Sequence, residues 1–535
     1  DLQTRMTDSV IAAAVRRMPP EHMTLIGDLL AERLRSRRNR LQQAANRFYR
    51  IVNEYAEIHT TDAPELAVVD RLSEAVEVQV YLRDSSGARA SVPHFTRRFH
   101  SDETKEIRLY LHGGRDRAVV RGTGAAIKVR LVGGAGVDEL IDSSGTAAGT
   151  NAFYDGGSST VFSTSHNTVV VRRNARRPRS WGATSAHAPD WGGRWQPTTP
   201  RAPFTPDLGL FVFAGLSYKE YGFLKEPYSW MMEIGGGIGT RRGKIEVDFK
   251  YRRLDVAPHT DFTLRTKWSS TRTINFFGFG NETTAAGPAS FFHVDQGQFQ
   301  LTPVITRSLG RHVRLELGPI FLGSSTDTMP ETATLLSQTQ PYGSGHFNQL
   351  GARSLIRLDL RNRQVAASRG IVIEAAGEYY PEMLDLERGA FGSLEGHAAT
   401  YLSFSGSDNQ TLALRVGGEK VWGRFPFYEA AFLGGSKTLR GFSRQRFAGD
   451  ASLYGSAEFR VFLTRVTLLF PSEFGVVAVT DVGRVFQNGE SSDKWHVSGG
   501  GGLWLAPVDR EYTVSGTLVR SAEGTKFYVG TGFGF

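Results

Sequence analysis

The chain has 535 residues, a formal net charge of +9 and 60 glycines, but no cysteine. This composition excludes disulfides, zinc–thiolate centres and a cysteine nucleophile, and without a run of 18 apolar residues no transmembrane helix is readable. A transmembrane β-barrel stays open, because its strands alternate lipid-facing and lumen-facing side chains. The basic charge lacks a recognisable nucleic-acid-binding module, so no nucleic-acid partner is predicted.

Residues 1–60 are predicted to be a helical segment. Apolar residues recur at helical spacing in three stretches. The second starts at Pro19-Pro20-Glu21, where proline is favoured, and the third, 41–58, carries one apolar stripe. We favour a small packed helical unit over a partner-binding helix. The arginine clusters at 35–40 and 172–179 are interpreted as solvated faces, with contact to anionic lipid headgroups as the alternative.

Residues 61–173 are predicted to form a β-rich repeat domain. A strand followed by a glycine pair at Ile107–Gly114 recurs twenty residues later at Ile127–Gly134. Such a repeat favours the stacked rungs of a short β-solenoid, or a sandwich. The stretch Gly133–Asp138 matches a calcium-binding repeat once, but such sites need consecutive nine-residue copies, so we predict a turn and no metal.

Residues 174–206 are predicted to be a Pro/Trp-rich linker, because their prolines deny them regular structure. The linker also holds Trp181, Trp191 and Trp195, which is unusual for a solvated tether. Two interpretations remain open for these tryptophans: they lie at a membrane interface, or they pack against the mouth of a barrel.

Residues 207–535 are predicted to form a barrel of about sixteen antiparallel strands, at about twenty residues for each strand with its connection. The dyad pattern is readable at 245–250, 313–317 and 356–361, where aliphatic residues alternate with charged ones. A polar lumen inside lipid requires this alternation. A water-soluble β-sandwich would show a similar pattern, but no second hydrophobic layer is evident.

The most informative stretch of the barrel segment is a glycine-flanked loop with the tetrad Leu439, Arg440, Gly441 and Phe442. An E-x-R strand at Glu458 and a D-x-G strand at Asp481 follow it. An arginine that faces a barrel interior needs a carboxylate partner, because an unpaired charge away from bulk water is costly. A glycine after that arginine permits a tight tip with positive φ. The alternative is a hairpin turn with a surface arginine.

The tetrad and the two strands after it resemble the Omp85 superfamily of outer-membrane assembly barrels and surface antigens. In that family the tetrad lies at the tip of a long loop that folds back into the lumen. The resemblance implies that Arg440 pairs with the loop-anchoring acids Asp481 and Glu458, and that Gly483 belongs to the strand motif.

Three further segments are similar to this family. Residues 275–283 resemble its early GxGNET element, and residues 358–370 resemble its D-x-R hairpin, although alanine or serine replaces the expected proline. The last segment, 527–535, alternates aromatic residues and resembles the C-terminal β-signal read by the outer-membrane assembly machinery. The signal residues that the resemblance implies are Tyr528, Gly530, Phe533 and Phe535.

The N-terminal third carries no recognisable POTRA repeat. Its sequence resembles the region before the barrel in proteins that fuse a metallophosphoesterase to an Omp85-type barrel. The phosphoesterase motifs themselves are missing, as are nucleophile elbows and P-loops. We therefore predict no catalytic residue, no metal and no cofactor. Because the chain begins at Asp1 without a signal sequence, we expect any catalytic domain to lie upstream.

The resemblance implies a bacterial outer-membrane barrel with a periplasmic N-terminal region. It would assist the insertion or translocation of proteins or lipids through a seam between a first strand near Leu208–Tyr218 and the last strand, Phe527–Phe535. The expected partners are outer-membrane lipid or lipopolysaccharide, client β-barrel or exported proteins, and a periplasmic partner of the N-terminal domain. The alternatives are an anchor that displays a fused enzymatic domain, and a passive pore.

Overall fold

A computed structural model describes residues 2–535 except 125, 146–148, 158, 173–189, 258, 332, 383–388, 405–407 and 468–469. Trp181 and most of the arginine cluster at 172–179 lie outside the described residues. The chain forms two compact units, residues 1–181 and 182–535. No helix in the described part of the chain is long and apolar enough to cross a membrane.

The first unit opens with four helices: α1 Leu2–Arg5, α2 Asp8–Val15, α3 Pro20–Asn39 and α4 Leu41–Glu54. Helices α2 and α3 pack through Ile11, Val15 and Ala31. Helix α4 does not join this core, since Asn53 is its one buried residue. The prediction of a single packed helical unit is therefore wrong for α4, whose apolar stripe stays uncovered.

The described residues of the rest of the first unit form thirteen short strands. They are β1 Tyr55–His59, β2 Glu65–Arg71, β3 Ala75–Leu82, β4 Phe95–His100, β5 Glu106–Tyr110, β6 Gly113–Gly114, β7 Arg117–Gly122, β8 Lys128–Val132, β9 Ala135–Gly136, β10 Glu139–Ser144, β11 Asn151–Tyr154, β12 Val161–Ser163 and β13 Thr168–Val171. One sheet has the order β1-β5-β8-β11-β13 and the other β12-β10-β7-β2-β3-β4. Apart from the antiparallel β2-β3-β4 edge, their neighbouring strands are parallel.

These strands stack as the rungs of a parallel solenoid, with the apolar core between the two sheets. Ile107 pairs with Val129, and Val129 pairs with Asn151. The repeat is thus twenty-two residues rather than the twenty predicted, and Gly113 stacks on Ala135 instead of Gly133. A slip of two residues keeps each side chain on the same face of its strand, which is why the hydrophobic pattern could not detect it.

In its described residues the second unit forms nineteen strands and one short α-helix. The strands are β14 Gly193–Pro197, β15 Phe204–Thr205, β16 Gly209–Gly222, β17 Lys225–Gly239, β18 Ile245–Ala257, β19 Thr260–Ser269, β20 Gln296–Leu309, β21 Val313–Thr326, β22 His346–Asp359, β23 Gly370–Tyr380, β24 Phe391–Ser403, β25 Gln410–Gly423, β26 Ala431–Leu433, β27 Phe447–Gly449, β28 Ala451–Thr467, β29 Pro471–Phe486, β30 His496–Pro507, β31 Val514–Ser521 and β32 Gly524–Thr531. The helix, α5, spans Leu335–Thr339 and begins with a capping box at Thr334.

All of these strands except the β26–β27 pair form one antiparallel barrel, closed by a pairing between β15 and β32. Strands β14 and β15 both pair with β16 and together make one interrupted strand of the barrel wall. If each strand of the wall is called a stave, the barrel has sixteen staves. The predicted sixteen-stranded antiparallel barrel behind a helical and β-rich region is confirmed. The first stave is not Leu208–Tyr218, however, because residues 193–205 of the expected linker occupy the position beside β32.

The barrel wall is apolar outside and polar inside. On β18, Ile245 and Val247 are exposed on the outer face, while the intervening Glu246 and Asp248 meet Lys267 of β19. A continuous outer band of exposed aliphatic and aromatic side chains would be unfavourable in water. Such a band is the lipid-facing surface of a transmembrane barrel.

A ladder of aromatic rings crosses five consecutive staves at one end of this outer face. Its members are Trp195, Tyr218, Trp230, Tyr251 and Phe262, with successive ring centroids 5.2 to 6.4 Å apart. Aromatic girdles of this kind mark the membrane interface of outer-membrane barrels. Of the two interpretations left open for Trp195, the structure favours the membrane interface.

Candidate functional site: an anchored loop in the barrel lumen

The loop between β25 and β28 carries the tetrad and projects into the lumen. Its stem is the short hairpin of β26 and β27, paired from Ala431–Gly449 to Leu433–Phe447. Positive φ angles at Gly434 and Gly435 (+121° and +85°) turn the chain at the end of β26. Since any side chain at Gly434 would collide with the backbone of Ser443, the turn requires glycine.

Arg440 is buried at the apex of this loop and is held by two carboxylates. Its guanidinium donates to both oxygens of Asp481 at 2.7 Å, and its backbone N–H donates to Oδ2 of Asp481 at 3.0 Å. Its Nη1 donates to Oε1 of Glu458 at 2.6 Å. Both acids are 1% exposed. The bidentate fork compensates charges that would otherwise be costly at this depth.

Glu458 connects this ion cluster to the end of the chain. Its Oε2 accepts from Arg460, and its Oε1 also accepts the backbone N–H of Gly534 at 3.1 Å. Strand β32 ends at Thr531, and Gly532 (φ +80°) turns the following residues away from the sheet. Arg460 then lies over the ring of Phe533 at 4.1 Å, where it contributes a cation–π contact.

The four residues implied as a β-signal therefore occupy two environments. Tyr528 and Gly530 are in β32, whereas Phe533 and Phe535 lie beyond it. The ring of Phe535 lies 4.6 Å from the guanidinium carbon of Arg415, and its backbone oxygen accepts from Arg460. Their role as an assembly signal stays a prediction.

Gly441 places the loop apex against the last three staves. Its N–H donates to the hydroxyl of Tyr528 at 3.0 Å, and its carbonyl accepts from Ser521 at 2.7 Å. The φ of +85° and a would-be Cβ only 2.9 Å from the Ser521 Cβ both require glycine here. Tyr528, expected only as part of the chain-end signal, is thus also a contact of the tetrad.

Leu439 and Phe442 hold the loop by apolar packing. They are buried with Leu433, Phe447 and Val485 in one cluster inside the barrel. The D-x-G strand makes room for this cluster, because a Cβ on Gly483 would lie 3.1 Å from Cδ1 of Leu433. Gly483 therefore permits the close approach of the loop stem to the wall.

Sequence reasoning missed a second set of loop contacts. Arg446 pairs with Glu523 beside β32 and donates to the hydroxyl and carbonyl of Thr283, at 2.7 and 2.6 Å. Asn281, which is fully buried, accepts from the backbone of Val485 at 3.0 Å. The GxGNET resemblance located Asn281 and Thr283 but not what they touch.

The D-x-R hairpin between β22 and β23 is tied together by its own side chains. Arg361 donates to both oxygens of Asp359, at 2.9 and 2.8 Å. The amide of Asn362 donates to the hydroxyl of Ser368 at 2.8 Å. The turn thus closes through a side-chain bridge where a proline was expected.

A polar cavity of about 630 Å³ lies in the lumen. Lys250, Arg265 and Lys267 line it on β18 and β19, while Glu378, Glu395 and Glu419 line it on β23, β24 and β25. Glu233 and Asp248 lie among the basic residues, so charges of both signs line the cavity. Such a lining suits water and polar chains rather than an apolar ligand. Within the described residues, no group of three or more His, Asp or Glu side chains is arranged to hold a metal ion.

Comparisons with known proteins were made for the whole chain. The family model of the Omp85 superfamily domain matches residues 239–535. No curated protein matches the chain.

Similar solved structures include BamA from Haemophilus ducreyi lacking POTRA domains 1–3, with 12% identity over 64% of this chain and 70% of that chain, at a TM-score of 0.48. They also include CdiB from Acinetobacter baumannii (10%, 64% and 66%, 0.37) and CdiB from Escherichia coli (12%, 64% and 63%, 0.42). Because the family model covers more than half of the chain, the resemblance inferred from the tetrad and its strands is confirmed: the chain belongs to the Omp85 superfamily of outer-membrane β-barrel proteins.

Proposed function

We propose that this barrel assists the insertion or translocation of client polypeptides through the seam between its first stave and β32. One observation carries the proposal. In the described structure β15 pairs with β32 only between Phe204 and Val529, whereas β31 pairs with β32 along all of Val514–Ser521. A weakly paired edge leaves backbone donors and acceptors available to template an incoming strand.

The local sequence explains why this seam is weak. Pro197, Pro200 and Pro203 interrupt the first stave and remove backbone N–H donors. On the other side, Gly532 ends the ladder of β32 by turning the chain inward. The first stave therefore lacks the continuous donors of a long ladder, and β32 stops at Thr531.

The lumen loop supports this function by holding the last staves in place. We propose that Leu439, Arg440, Gly441 and Phe442, with Glu458, Asp481 and Gly483, keep β29 to β32 in register while the first stave moves. Lipid or lipopolysaccharide and a periplasmic partner of the N-terminal region are further expected partners, and the proposed location of that region is the periplasm. No enzymatic activity is proposed for these residues.

A disulfide lock tests the seam, because the chain contains no native cysteine. The pair Phe204→Cys and Val529→Cys should crosslink the registered positions of β15 and β32. The matched control, Gly516→Cys with Val529→Cys, crosslinks a registered pair within the β31–β32 ladder. The measurement is folding of a urea-unfolded eight-stranded outer-membrane barrel protein into vesicles that contain each variant.

We expect the oxidised seam variant to lose its acceleration of folding and to regain it on reduction, with the control active in both states. Equal activity of the oxidised seam variant and the control would contradict the proposal. That outcome would favour a barrel that only anchors another domain, the alternative suggested by the solenoid unit that precedes it.

A further inference from the structure

Helix α4 carries an apolar face that no other described part of the first unit covers. Phe48, Ile51 and Val52 are 68%, 62% and 56% exposed. At 3.6 residues per turn, these three align with Leu41, Ala44 and Ala45 in a stripe about 120° wide. A helix of a globular unit normally turns such a stripe towards the core, and α4 turns it to the outside.

The opposite, polar side of α4 attaches it to its own unit. Oδ1 of Asn53 accepts from Arg97 at 2.6 Å, and the Asn53 amide donates to Glu103 at 3.4 Å. The hydroxyl of Tyr49 donates to the same Glu103 at 3.3 Å. These contacts fix which side of the helix faces outward, so the apolar stripe is displayed by the fold itself.

The chain segment that carries this stripe is strongly positive. Between residues 33 and 53 the chain has no acidic residue and has seven arginines: Arg33, Arg35, Arg37, Arg38, Arg40, Arg47 and Arg50. Arg35 and Arg38 meet Asp8, whereas Arg47 and Arg50 on α4 are exposed. An aromatic and aliphatic face with arginines on the polar side of the same helix is the composition of a helix that lies in a membrane interface.

We infer that α4 docks in the headgroup region of an anionic phospholipid bilayer, with Phe48, Ile51 and Val52 inserted among the acyl chains. The arginines select this occupant, because two copies of the same positive segment would repel each other while anionic headgroups attract it. The chain also continues into a lipid-embedded barrel, which keeps the helix at high effective concentration near a bilayer. This inference does not depend on the seam.

The test places a nitrobenzoxadiazole fluorophore at Val52→Cys in the full chain and reconstitutes the protein in vesicles with and without phosphatidylglycerol. Gln43→Cys, on the opposite side of α4, carries the label in the matched control. We expect the emission at position 52 to shift to the blue and to be quenched by spin-labelled acyl chains in anionic vesicles. The label at position 43 should keep the emission of a water-exposed probe.

Charge variants check the lipid selectivity. Arg47→Gln with Arg50→Gln should lower the ratio of lipid-inserted to exposed label by about thirtyfold, since each of the two arginines near an anionic surface contributes about 1 kcal/mol and 1.4 kcal/mol is a factor of ten. Arg16→Gln with Arg17→Gln removes two exposed arginines from another part of the unit and should leave the ratio unchanged.

Two outcomes would overturn the inference. A label at position 52 that stays water-exposed in anionic vesicles would show that the stripe is solvated. A blue-shifted label without quenching by lipid spin labels would show that protein covers the stripe, and disulfide-linked dimers of the unlabelled Val52→Cys variant would identify that protein as a second copy.

Discussion

At the scale of single residues, the structure centres on one buried arginine. Arg440 makes three kinds of contact. Its guanidinium neutralises two acids, and its backbone N–H binds the loop apex to β29. One of these acids, Glu458, also accepts the N–H of Gly534. A lysine could supply the charge but not the fork that binds both oxygens of Asp481. The arrangement therefore depends on guanidinium geometry as well as on charge.

Replacing Arg440 with alanine should release the loop. The variant leaves Glu458 and Asp481 buried without their shared cation, and loss of one partner from a buried ion pair costs about 3–5 kcal/mol. We expect faster trypsin cleavage at Lys437 and Arg444, and unfolding of the barrel at lower temperature in gel-shift assays. Arg465→Ala, at a side chain 81% exposed, is the control. Unchanged cleavage and heat stability of Arg440→Ala would remove the proposed role of the loop anchor.

At the scale of elements, a stack of buried acidic residues forms one corner of the solenoid. Glu65, Asp116 and Asp138 occupy equivalent positions in successive rungs. The N–H of Glu65 donates to Asp116 at 2.8 Å, and the N–H of Asp116 donates to Asp138 at 3.1 Å. Burial raises the pKa of Asp116 to about 7, and burial together with the neighbouring Asp155 raises the pKa of Asp138 to about 6.

This corner should make the first unit more stable in mild acid. A carboxyl whose folded-state pKa lies above its unfolded value of about 4 stabilises the fold fully below pH 4, and that stabilisation is lost as the pH rises through 6 to 7. Asp138→Asn removes the buried charge, so its melting temperature at pH 8 should exceed that of the native chain by several degrees. At pH 4 to 5 the two should agree more closely.

Scanning calorimetry of the full chain in detergent measures this effect on the transition of the first unit. Asp102→Asn, at an exposed position, serves as the control and should melt like the native chain at each pH. A native transition that does not move between pH 5 and pH 8 would refute the role of the acidic corner.

At the scale of the whole molecule, the lumen loop occupies part of the barrel interior. Barrels of sixteen strands enclose a water-filled channel unless a segment occupies it. Here Glu458 accepts from the guanidinium of Arg440 in the tetrad loop and from the backbone N–H of Gly534 in the chain end, so both segments occupy the interior. A loop anchored by buried ion pairs should keep conductance low.

Deleting Ser436–Phe442 should therefore open the pore. In planar bilayers we expect low, flickering current from the native barrel and a steady, larger conductance from the deletion variant. Shortening the β20–β21 turn by removing Arg311 is the control, since this deletion leaves the lumen loop intact. Steady large currents from the native barrel would instead identify a passive pore.

Much of this architecture can be predicted from the sequence, because the signals for it are local. A charged loop inside a lipid-embedded wall requires alternating strands, a glycine-flanked turn and acidic partners. Each of these features is a short motif that can be recognised within a few residues. The cost of a buried, unpaired guanidinium predicted that Arg440 needs carboxylate partners, whereas the choice of Asp481 and Glu458 came from the family resemblance. The residues that touch the loop from distant strands, such as Thr283 and Glu523, leave no such trace.

What the amino-acid order alone determined is the class of fold, the sixteen-strand count and the residues at the loop apex. Only the tertiary structure decided which strand borders the seam, because the prolines between 197 and 203 signal irregular chain yet still allow an edge stave. It also decided the rung length, since a slip of two residues preserves every inward side chain, and it left α4 uncovered. Hydrophobic periodicity does not encode which distant segments meet, and that decided the seam and the rung length through strand pairing and left α4 without a cover.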